Sequence, residues 1–98
     1  MLDHEMLSSI AEQMMSGTRV TVGGKDSRVS RTGAQRLRTV RFVMGGMEYQ
    51  AIEQNPEKPS RWGKLARAGR RVVQVRDLAT QKYVAAVVDG KVTEYGRH

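Results

Sequence analysis

Residues 36–54 read RLRTVRFVMGGMEYQAIEQ, and this stretch decides the fold. Gly45-Gly46 is a two-residue turn of the kind tight hairpins prefer, because its inner positions need positive φ. Folding the chain there sets Met44 opposite Met47, Phe42 opposite Tyr49, Val40 opposite Ala51 and Arg38 opposite Glu53. Side chains alternate along a strand. The register therefore gathers most apolar residues on one face and leaves Arg41, Gln50, Val43 and Glu48 on the other.

Downstream, Asn55 to Pro59 holds two prolines and interrupts the sheet. A short helix near 60–68 follows, with Ser60 as its cap, Trp62, Leu65 and Ala66 as its inner face and Gly69 as its stop. Residues 71–76 alternate as a strand. Tyr83 to Val88 is apolar at nearly every position, as expected of a strand covered on both faces. Asp89-Gly90 is a second hairpin turn and leads into Lys91 to Tyr95. Upstream, Leu2, Met6, Leu7, Ile10 and Met14 form an apolar stripe at helical spacing over residues 2–15. Asp3 can cap this helix, and Gly17 is expected to stop it in the left-handed conformation. Thr18 to Val22 is a short strand closed by Gly23-Gly24, and residues 25–35 read as a flexible polar loop.

The predicted fold class is α+β, a single domain over residues 1–98. An N-terminal helix within 1–17 precedes a mostly β region over 18–98. Its strands form a curled antiparallel sheet or small partly open β-barrel of five to six strands, with a short helix between strands 3 and 4. The predicted order is similar to that of oligonucleotide-binding barrels, and the leading helix is similar to that of Sm-like barrels. Likeness of topology does not carry function.

Composition limits the function classes. Apolar residues make up 39% of the 98 residues, enough for one small core. There is no cysteine, so disulfides and thiolate metal sites are excluded, and a cytoplasmic setting is the expectation. No apolar run approaches the roughly 18 residues of a membrane span. The acidic start (Asp3, Glu5, Glu12) does not have the form of a signal or transit peptide.

Seventeen Lys and Arg against ten Asp and Glu give a formal charge of +7, which attracts polyanions. The bases are segregated. From Arg19 to Arg41 there are seven against one acid, and from Lys58 to Arg76 there are seven with no acid. Cations spaced along a surface are what phosphate binding needs, and the arginine fork suits phosphates and base edges. The expected function is non-enzymatic binding of DNA or RNA. The candidate residues are Arg28, Arg31, Arg36, Arg38 and Arg41 from the first block and Arg61, Lys64, Arg67, Arg70 and Arg71 from the second. On the second helix, Arg61, Lys64 and Arg67 can share a face while Trp62 and Leu65 turn inward. The alternative is an interaction module, as a monomer or a homodimer, that docks an acidic protein through the first helix stripe or the Met44–Met47 tip.

With five aromatics in the chain, Phe42, Tyr49 and Trp62 are assigned to the core, and Met44 and Met47 are assigned to core filling. Tyr83 and Tyr95 stand near strand ends. Gly23-Gly24-Lys25 lacks the spacing of a phosphate loop. The histidines, His4 and His98, sit at the termini without ligand-type partners, so no metal site, cofactor or histidine base is expected. The pattern Asp77, then Asp89-Gly90-Lys91, has the look of metal-dependent nucleases and stands as a third, weaker reading, since the hairpin turn already explains Asp89.

Overall fold

The computed structural model describes residues 2–96. The α+β class is as expected. The elements run α1 (His4–Ser16), β1 (Arg19–Val22), β2 (Lys25–Arg28), β3 (Ser30–Thr32), β4 (Leu37–Met44), β5 (Met47–Glu53), α2 (Arg61–Arg67), β6 (Val72–Asp77), β7 (Lys82–Val88) and β8 (Lys91–Glu94). β1 and β2 form a separate two-stranded sheet, and the other six strands pair in chain order, β3-β4-β5-β6-β7-β8. Every pairing is antiparallel. This meander does not close on itself, in keeping with the curled or partly open antiparallel sheet expected. It also lacks the crossing connections of a Greek-key oligonucleotide-binding barrel.

The central hairpin has the expected register, from Met44 opposite Met47 to Thr39 opposite Ile52. Both glycines of its turn adopt positive φ, 60° and 78°. One step beyond the last paired residues, Arg38 and Glu53 meet as an ion pair at 3.4 Å. Residues 25–35 differ from the polar loop expected. Lys25–Arg28 turns back on β1, and Ser30–Thr32 adds an edge strand to β4. Both strands are almost wholly exposed, so their sequence shows no apolar alternation.

α1 packs on one face of the sheet. Leu7, Ile10, Ala11 and Met14 are buried against Val40, Phe42, Tyr49, Ala51, Val73, Val75, Ala85 and Val87. Phe42 and Tyr49 stack at 5.8 Å inside this core. The Asp3 carboxylate caps the helix by accepting from Met6 N–H at 3.0 Å. Gly17 ends it, but with φ −151° and ψ −169° it is extended rather than left-handed. Ser8 Oγ donates to the Gly90 carbonyl at 2.7 Å, and Gln13 Oε1 accepts from Thr21 N–H at 2.9 Å. These two bonds fasten the helix to the last hairpin and to the small sheet. No helix among the described residues is long and apolar enough to cross a membrane.

Candidate nucleic-acid interface

The sheet's second face is the one α1 leaves uncovered. Strand alternation and register determine what stands on it. Arg41 pairs with Gln50, Gln50 with Arg76, and Arg76 with Tyr83. These four side chains form one row across β4, β5, β6 and β7. At the spacing of neighbouring strands the row spans about 14 Å. Tyr83 reaches it through an irregularity. β6 pairs Val75 with Ala85 but Arg76 with Tyr83, so Val84 is an extra, bulged residue. In an unbroken register Val84 would oppose Arg76 and Tyr83 would turn towards α1. The bulge re-aims the tyrosine to the open face.

Hydrogen bonds fix the middle of the row. Gln50 Nε2 donates to Thr39 Oγ1 at 2.9 Å, and its Oε1 accepts from Arg76 Nη2 at 2.6 Å. Thr39 Oγ1 in turn donates to the Ala51 carbonyl at 3.0 Å. The glutamine amide is thus satisfied at both ends and holds the guanidinium in place. Arg76 Nε is buried with no hydrogen-bond partner among the described residues. A buried donor without a partner costs about 1–3 kcal/mol. Its guanidinium lies over the Tyr83 ring, 6.0 Å from the centroid. Beyond Arg41 the face continues into a groove of about 540 Å³ lined by Arg28, Arg31, Arg41 and Gln50, with the hydroxyls of Ser27, Ser30, Thr32 and Thr39.

At the other end of the row, α2 lies against the same face. Ser60 Oγ accepts from Gly63 N–H at 3.1 Å and starts the helix. Gly63 is required by a close approach, since a Cβ there would lie 2.0 Å from the Lys58 carbonyl oxygen. Trp62 is half-buried and belongs outside the main core, which corrects the expectation from composition. It packs on Tyr95 at 6.3 Å, and the Arg61 guanidinium covers it at 4.3 Å. With seven residues, α2 is too short to carry its tryptophan into the core. Tyr95 donates to Gln74 Oε1, and Gln74 Nε2 donates to Gln54 Oε1 at 2.7 Å. Burial raises the Tyr95 hydroxyl above its ordinary pKa of 10.0; the nearby Arg61 charge opposes this and nearby Tyr83 adds to it. Arg61, Trp62, Tyr95, Tyr83 and Arg76 are therefore neighbours.

The ten candidate bases divide. Arg28, Arg31 and Arg41 line the groove, but Arg31 stands opposite Arg38, so its side chain leaves towards the helix side, and Arg61 lies beside the aromatic pair at the far end. Arg36 is in the β3–β4 turn, where its carbonyl accepts from Arg31 Nη1 at 3.1 Å. Lys64 is exposed on α2. Arg67 Nη1 donates to the carbonyls of Pro56 and Lys58, the latter at 3.1 Å, and so braces the proline loop. The remaining three are paired: Arg38 with Glu53, Arg70 with Asp89, and Arg71 with Glu12. Arg38 points to the helix side, where Nη1 also touches Met15 Sδ at 3.7 Å. Among the described residues, Arg28, Arg31, Arg36, Arg41, Arg61, Lys64, Arg67 and Arg76 make no ion pair. Sequence reasoning did not choose Arg76, Gln50 or Tyr83 for the site. The alternation of Arg41 with Gln50 was visible, but the β6 and β7 contributions depend on the bulge.

The residues of the other readings are placed as follows. Asp77 and Asp89 stand at opposite ends of the β6–β7 hairpin, one beside Lys82 and the other beside Arg71. Asp77 accepts from Ala79 N–H at 2.8 Å, and Asp89 accepts from Arg70 and Arg71. They do not meet, and no cluster of three metal-ligating side chains exists among the described residues. Of the α1 stripe, Leu7, Ile10 and Met14 are buried, while Leu2 and Met6 are partly buried against the core. Of the tip methionines, Met44 is buried while Met47 is 45% exposed beside Val43 at 50%. His98 lies outside the described residues. No protein family, curated protein or solved structure matches the chain.

Proposed function

We propose that this chain is a non-enzymatic nucleic-acid-binding domain that meets phosphates on the open face of its sheet. The observation that carries the reading is Arg28 and Arg41 bordering one groove, continued through Gln50 to Arg76, with no carboxylate paired to any of these three arginines among the described residues. Unpaired guanidinium groups along one face release counterions when a polyanion binds, and they keep that free energy for the ligand instead of spending it on internal ion pairs. Serine and threonine hydroxyls between them add neutral donors of the kind that position phosphates. The binding residues are then Arg28, Arg41 and Arg76, with Arg31, Arg36, Arg61 and Lys64 at the margins. A cytoplasmic setting belongs to the same proposal.

The test is affinity for fluorescent oligonucleotides across a salt series. The reading expects steep loss of affinity with salt and a large loss in Arg28→Glu/Arg41→Glu, with an unchanged circular dichroism spectrum. Unchanged affinity in that variant would remove the open face from the site.

A further inference from the structure

Tyr83 is 45% exposed, on a strand otherwise apolar and buried at Ala85, Ala86 and Val87. A bulge brings it to the open face. One side of its ring faces the Arg76 guanidinium. Tyr83 also lines a groove of about 1260 Å³ together with Tyr95, Thr80, Lys82 and the segment Leu2 to Glu5. The electrostatics of the two sides differ. The Arg76 side is cationic and continuous with the arginine groove. The groove on the far side carries three acids, Asp3, Glu5 and Glu94, against one lysine, Lys82, with Glu94 held by His4 at 2.5 Å and Asp3 by its capping bond. A phosphate is drawn to the first side and repelled by the second. A neutral planar group is free to enter the second.

We infer that the open face takes single-stranded nucleic acid, its backbone along Arg28, Arg41 and Arg76 and one base in the groove against Tyr83. This deepens the phosphate reading above and rests on it. A duplex keeps its bases stacked inside and offers only their edges in grooves that admit a helix or a two-stranded ribbon. A broad sheet face of six strands cannot enter such a groove. A ring standing on that face is reached only by an unpaired base, and such stacking tolerates any base.

The experiment compares the full chain's affinity for oligothymidine, oligouridine, an abasic strand of equal length and the matching duplex. The abasic strand has the same phosphates and no rings. At least one base-bearing single strand is expected to bind about fivefold or more tightly than the abasic strand, the factor one stacked base supplies. Tyr83→Ala is expected to erase that difference, and Tyr83→Phe to keep it. The thymidine and uridine arms separate DNA from RNA. If the abasic strand or the duplex binds as tightly as both base-bearing strands, the single-strand inference is overturned and the phosphate reading stands. If none of the four binds, both fall. The comparison among ligands uses the unaltered chain, so it decides the matter even if Tyr83→Ala unfolds.

Discussion

Arg76 is held at 2.6 Å by the Oε1 of Gln50, a neutral partner, in the middle of a sheet face where a carboxylate would satisfy it better. The choice leaves the charge available. Gln50→Glu is therefore expected to pair with Arg76 and cut affinity for nucleic acid while leaving the thermal midpoint unchanged or raised. The slope of log affinity against log salt should fall by about 0.7 for a single strand, one phosphate contact fewer. Anisotropy at several salt concentrations reads it.

The paired arginines should behave differently. Arg70 and Arg71 hold Asp89, and Arg67 braces the carbonyls of Pro56 and Lys58. Arg67→Glu/Arg70→Glu is expected to lower the urea midpoint. Arg28→Glu/Arg41→Glu is expected to leave that midpoint in place and abolish binding. Urea titration of both variants beside an affinity measurement distinguishes the two roles.

Gly63 gives a packing prediction. Alanine favours a helix interior by about 1 kcal/mol over glycine. At this position its Cβ would meet the Lys58 carbonyl oxygen at 2.0 Å, and backbone cannot yield cheaply. Overpacking costs about 1–3 kcal/mol and should win, so Gly63→Ala lowers stability in chemical denaturation. Loss of Met14, fully buried under the sheet, should cost more, about 2–5 kcal/mol for Met14→Ala.

Asp89 predicts a pH dependence. The hydrogen bond from Arg70, followed by the Arg71 backbone N–H, holds its carboxyl below the ordinary value of 3.8. In the unfolded chain it takes up its proton at higher pH. Between the two values the unfolded state binds more protons, so its stabilising contribution is complete above the unfolded value and is lost as pH falls through the folded one. Asp89→Asn keeps a turn-forming pair with Gly90. It should be less stable than the parent at neutral pH, and the difference should shrink in acid. Urea midpoints from about pH 6 down to about pH 2 check the sign.

The hairpins were legible because their turns are local chemistry: Gly45-Gly46 and Asp89-Gly90 impose positive φ, and the register follows by counting. The α1 stripe was legible for the same reason, since helical spacing sets its buried face. β2 and β3 were not, because both are edge pieces with almost no buried position, and a polar exposed strand reads as a loop. Half of the candidate site stayed hidden for a different reason. The bulge at Val84 leaves no mark in composition, yet it decides which face receives Tyr83. Charge segregation marked both basic blocks, but it could not show that Glu12, Glu53 and Asp89 would take Arg71, Arg38 and Arg70 out of reach.

The most direct test of the account is the salt dependence of affinity for a single-stranded oligonucleotide, measured beside heparin as a polyanion without bases. Binding that is steep in salt, tighter than to heparin, and lost in Arg28→Glu/Arg41→Glu is the predicted result. Affinity no better than for heparin, or unaffected by that variant, would contradict it.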